Sequence, residues 1–139
     1  MQQATQALNV VIIVDHGFVS GGQSKVAIES ALGLLAGGAR PIFFCACGPV
    51  DPRLAVAGVE TVCLDQHDIL DHPSRVAAAL QGTWNRKAAA ALKLLLASLP
   101  RENTIVHVHG WAKALSPSIG PAIRASKLPA VYTMHEYFL

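Results

Sequence analysis

Three short stretches of this sequence hold residues that could do chemistry. The first runs from Asp15 through His16, Gly17, Gly21, Gly22 and Gln23 to Lys25. A dinucleotide fingerprint needs G-x-G-x-x-G, and the order Gly17, Gly21, Gly22 does not supply it. A P-loop needs lysine directly after its second glycine. Gly17 and Gly22 have the right spacing, but Gln23 stands in the lysine's place, so the ammonium that clamps the β- and γ-phosphates is missing. What remains is simpler physics. Gly21-Gly22 lets the backbone come close to a ligand, and the free N–H groups of a following helix favour an anion or a hydroxyl-rich group. A tight strand-to-helix turn asks for much the same glycines.

The second stretch is Thr104 to Trp111. His107 and His109 sit two apart on a strand pattern and so share a face. With Asp15 and His135 they outline a metal-dependent hydrolase, although strand histidines serve equally as hydrogen-bonded structural residues and no fuller metal shell is evident. Cys45 and Cys47 also read as sharing a face, with Cys63 on the next strand. They lack a fourth ligand and read as small buried hydrophobes. In the third stretch, His135 and Glu136 follow a strand end. Histidine there suits proton handling or hydroxyl binding, with a solvated loop residue as the alternative.

Elements must carry these residues to one place. Short β-branched runs alternate with amphipathic stretches, the pattern of βαβ units on a parallel sheet. Strands are expected at 9–14, 40–46, 60–64, 104–109 and 130–134. The first helix is expected over 23–36, burying Ala27, Ile28, Ala31, Leu32 and Leu35 and stopped by Gly37-Gly38 in the left-handed conformation. Short helical turns are expected near 53–57 and 75–80, with a polar loop at 65–74 between them. Asn85 caps a helix over 86–99, with Leu92, Leu95, Leu96 and Leu99 as its apolar stripe. Pro117 and Pro121 cannot both sit comfortably inside one helix, so the last helix must kink or start late. Right-handed crossovers then give a doubly wound open parallel sheet of order 3-2-1-4-5, a single Rossmann-like domain over residues 1–139. Ligands bind such sheets at the carboxyl ends of the strands, near the switch in strand order, where all three stretches meet.

Composition sets the outer bounds. At 52% hydrophobic and 14% charged, the chain is too apolar for disorder and suits a sheet buried on both faces. A net charge of +2 with no basic run gives nucleic acid little to bind. A weak attraction to an anionic membrane stays open, with peripheral membrane contact as one location. The N-terminal residues do not read as a signal peptide, and three cysteines read as free thiols of a cytoplasmic protein.

Three motifs then look familiar in order. They are V-S-G-G-Q-S-K-V-A-I-E-S-A-L-G-L-L after the first strand, I-V-H-V-H-G-W on the fourth, and Y-T-M-H-E-Y-F on the fifth, with W-N-R-K-A-A-A-A-L-K-L-L-L between the first two. Together they resemble the N-terminal domain of the retaining, group 1 glycosyltransferases of GT-B fold, and the resemblance spans nearly the whole chain. It implies two Rossmann-like domains facing across a cleft, a nucleotide-sugar donor as substrate with no cofactor, and a carbohydrate or lipid acceptor held on this side.

Residue by residue, the resemblance implies that Gly21, Gly22 and Gln23 form the loop near donor phosphates or acceptor, beside His109 and Trp111. His135 implies the catalytic histidine facing the transferred sugar, and Glu136 stands where the family usually has aspartate. The donor-side domain is absent from these residues, so the chain reads as a piece that is inactive alone and has the missing domain as its partner. A freestanding binding module, or self-association through an open sheet edge, are the rival expectations.

Overall fold

The computed structural model describes residues 5–135. Its five-stranded parallel sheet has the order β3-β2-β1-β4-β5, with β1 Asn9–His16, β2 Arg40–Cys47, β3 Glu60–Cys63, β4 Thr104–Val108 and β5 Ala130–Tyr132. β1 is buried at every position because it pairs with β2 on one side and β4 on the other, while both of its faces are covered. It runs two residues beyond the expected end, since His16 still pairs with Cys47. Asp15 and His16 therefore belong to the strand rather than the loop. β4 and β5 stop short of His109 and Thr133.

Alternation along the strands divides the core into two clusters. Val10, Ile12, Val14, Phe43 and Cys45 pack under α1 Gly22–Ala36 through Ala27, Ile28 and Ala31. On the other face, Val11, Ile13, Phe44, Val106 and Val108 pack under α4 Arg86–Ala97 and α5 Ile119–Ser126, through Leu92, Leu96 and Ile119. Two shorter helices, α2 Pro52–Ala57 and α3 Arg75–Thr83, stand between β2 and α4 in the chain. Leu32, Leu35 and Leu95, expected inside, are only partly buried.

The ends of the helices follow local chemistry. The Asn85 side chain accepts from the Ala88 N–H and so caps α4. α5 starts late, at Ile119, which leaves Pro117 outside and puts Pro121 in the first turn, where a missing N–H costs nothing. Gly38, not Gly37, takes the left-handed conformation after α1, at φ 90°. Among the described residues no helix is long and apolar enough to cross a membrane.

Candidate functional site

The switch in strand order lies between β1 and β4, and the rim beyond it gathers most of the residues singled out in the sequence. The Gln23 side chain, in the first turn of α1, donates from Nε2 to the His109 carbonyl at 2.6 Å. That bond lies directly over Gly110, where a Cβ would collide with the Gln23 amide. A side chain at Gly110 would displace the Gln23 amide from the His109 carbonyl. Trp111, Gln23 and Gly110 line one small cleft with Asp15, Lys113 and Tyr132. Trp111 and Tyr132 also wall an adjoining apolar pocket of about 280 Å³ with Val108, Ile119 and Ile123.

Three imidazoles stack beside this cleft. His107 and His109 have ring centroids 4.1 Å apart, and His109 and His135 lie 5.5 Å apart, nearly parallel. One proton joins His109 Nδ1 to His135 Nε2 across 3.2 Å, and another joins His107 Nε2 to the Thr133 hydroxyl across 2.7 Å. These two rungs fix the segment after β5 against β4. His109 is 1% exposed, and its Nε2 has no partner among the described residues. Burial, aided by the charges its two histidine neighbours would carry, pushes the His109 pKa down to about 4. Burial also lowers that of His107, with His135 adding to it. Both rings are neutral at physiological pH and serve as hydrogen-bonding groups rather than cations.

Gly21 and Gly22 are exposed, and a Cβ added at either meets nothing within 4 Å. Gly21 has φ 167°, extended backbone open to any residue. Neither space nor backbone conformation at the turn therefore demands a glycine at Gly21, and space does not demand one at Gly22. Gly21 stands at the N-terminus of α1 with no side-chain cap and no acid in the first turn, so the amides there are not shielded by a carboxylate.

Asp15 does not join the histidines. It shares a face with Val11 and Ile13, whereas His107 and His109 share that of Ile105 in the opposite layer. Its carboxylate accepts the N–H groups of Lys113, Ala114 and Leu115 at 3.1, 2.9 and 2.9 Å. Burial raises its pKa even against those three donors. The hydrolase constellation of Asp15, His107 and His109 is accordingly not assembled. Cys45 and Cys47 likewise part, one in each core cluster. Desolvation drives the Cys45 thiol far up and that of Cys47 up to about 12, so both are inert thiols. Glu136 lies outside the described residues.

Sequence reasoning overlooked what holds the turn after β4. Ser116, at φ 70°, accepts the Asn85 N–H at 2.9 Å and donates to the Ser118 hydroxyl at 2.9 Å, while Asn85 Nδ2 donates to the Ala114 carbonyl at 2.9 Å. This buried knot and Asp15 together set Trp111 to Leu115 in place. Lys113 and Tyr132 were also passed over. Lys113 was visible as the one cation in the loop after the fourth strand, but Tyr132 carried no signal beyond a strand residue.

Sheet order, crossovers and a rim site at the switch point define a Rossmann-like α/β unit. No protein-family model and no curated protein matches the chain. A crystal structure of a glycosyltransferase from Rickettsia africae ESF-5 has the same fold, with TM-score 0.63 at 20% identity, over 95% of this chain and 31% of that one. The chain thus spans less than a third of that structure's length.

Proposed function

We propose that this chain is the acceptor-side half of a GT-B, group 1 glycosyltransferase, which moves a sugar from a nucleotide-sugar donor to a carbohydrate or lipid acceptor with retention. The observation that carries this reading is the meeting of Gln23, His109, Trp111 and His135 at one rim, beside an uncapped helix N-terminus fronted by two glycines whose side-chain space is open. The fold likeness to part of a glycosyltransferase supports it.

In the transfer, the bond from the sugar's anomeric carbon to the diphosphate oxygen breaks. A bond to the acceptor oxygen forms on the same face, and the acceptor's proton passes to the departing diphosphate. The leaving diphosphate needs preorganised donors. The amides opening α1 supply some, and Gly21 and Gly22 let the phosphates reach them. His135, held by His109, is the catalytic histidine that touches the reacting sugar. Trp111 and Tyr132 offer an apolar wall to the acceptor. The remaining donors come from a second domain across the cleft, so this chain binds nucleotide sugar weakly and turns none over.

The test combines two readouts on the purified chain: release of nucleoside diphosphate from a panel of nucleotide sugars, and amide NMR shifts on adding them. Shifts confined to Gly21, Gly22, Gln23 and the end of β4, with no release, are expected. Shifts elsewhere would overturn the site, and turnover would overturn the need for a second domain.

A further inference from the structure

A face beside the rim carries its apolar side chains on the outside. α3 buries only Ala78, yet Val76 and Leu80 stand about one turn apart on it, 73% and 67% exposed, and Trp84, just past its end in extended backbone, is 47% exposed. Leu70, 74% exposed, joins them because Arg75 ties its loop down, donating from Nη2 to the carbonyls of Ile69, Leu70 and His72. A water-facing helix is expected to turn such residues inward, and α3 instead buries Ala78 and leaves Val76 and Leu80 outside.

The segment that carries Trp84 has charge of one sign. Residues 72–101 hold Arg75, Arg86, Lys87, Lys93 and Arg101 and no aspartate or glutamate, whereas the rest of the chain sets all nine acids against six bases. Trp84 stands between two open depressions of about 570 and 330 Å³, which Arg86 and Lys93 respectively help to line. The acids that flank the segment in sequence are Asp68 and Asp71 in the preceding loop and Glu102 directly after Arg101. Asp68 is held by His16 at 2.8 Å, and Asp71 is exposed next to Leu70. An exposed tryptophan and aliphatic residues beside Arg86 and Lys93, neither ion-paired among the described residues, match the interface of an anionic bilayer, with apolar groups at the acyl boundary and cations among lipid phosphates.

We infer that this face docks on an anionic lipid surface, with Leu70, Val76, Leu80 and Trp84 entering the headgroup layer and Arg86 and Lys93 pairing with phosphates. The inference does not depend on the reaction proposed above. It has a consequence for the rim all the same, since Gln81 of α3 donates to the Ala114 carbonyl at 3.3 Å, so the docked face would hold the rim next to the membrane.

Sedimentation with vesicles tests it. The whole chain should pellet with phosphatidylcholine vesicles containing 30% phosphatidylglycerol, stay in solution with phosphatidylcholine alone, and be released by 0.5 M salt. Arg86→Gln with Lys93→Gln should weaken binding on the order of 25-fold, from roughly fivefold per cation lost. Leu80→Ser with Trp84→Ser should abolish it. Circular dichroism of both variants should match the wild type, because every altered side chain is exposed. Equal pelleting with both vesicle types, no pelleting with either, or binding indifferent to the folded variants would overturn the proposal. So would a stable dimer that Leu80→Ser dissociates, which would assign the face to a second copy.

Discussion

Replacing Asp15 tests whether a buried carboxylate, rather than local turn preference, sets the loop after β4. Three backbone N–H groups end on its two oxygens, those of Ala114 and Leu115 on one and that of Lys113 on the other. Ala114 and Leu115 are fully buried, so their donors have no route to water once the carboxylate is gone. Each buried donor left unpaired costs about 1–3 kcal/mol. Asp15→Ala should therefore cost about 4 kcal/mol, allowing the Lys113 donor, on an exposed residue, to find water.

Asp15→Asn keeps one oxygen for the two buried donors and turns an amide toward Lys113, a loss of about 1–2 kcal/mol. Native domains have about 5–15 kcal/mol in total, so the alanine variant should fold but melt some 10–15 °C lower. Burial raises the pKa of Asp15, so the aspartate's contribution is greatest at low pH and declines as pH rises through the folded value. The gap between wild type and Asp15→Asn should accordingly narrow on going to neutral pH. Urea unfolding at several pH values reads all of this. An alanine variant within about 1 kcal/mol of wild type, or indistinguishable from the asparagine one, would refute the reasoning.

Three further outcomes are expected. His109 is neutral in the fold, with a pKa near 4 against the ordinary value of 6.5, so its contribution is complete above that ordinary value and lost as pH falls through the interval. Urea melts at pH 7 and 4.5 should show wild type losing about 2–3 kcal/mol more than His109→Gln. Gly110→Ala should push the Gln23 amide off the His109 carbonyl for only about 1 kcal/mol, since the group displaced is the end of a flexible chain, and the Gln23 side-chain NMR signals should move. Gly21→Ala and Gly22→Ala should leave the melting temperature within a few degrees, yet weaken nucleotide-sugar binding. A large loss of stability there would return the glycines to a purely structural role.

The sequence by itself determined the elements and their order. Val10 to Val14 is an unbroken β-branched run, and such a run can sit only in the middle of a sheet covered on both faces. Asn85 and the two late prolines fixed the ends of α4 and α5 through local backbone chemistry, which needs no knowledge of distant residues. Strand order then followed from the handedness of crossovers, and with it the rim where the three motifs meet.

Tertiary structure decided the contacts within that rim. Asp15 looked like a partner for His107 and His109, because all three lie near the carboxyl ends of adjacent strands. Which face each one takes depends on the register between strands, and a single residue of shift turns every side chain over. The bond from Gln23 to His109, the fit of that glutamine over Gly110, and the outward turn of Val76, Leu80 and Trp84 join or expose residues through packing. The first two span more than eighty positions of chain. No periodicity encodes such meetings, because they depend on where whole elements come to rest against one another.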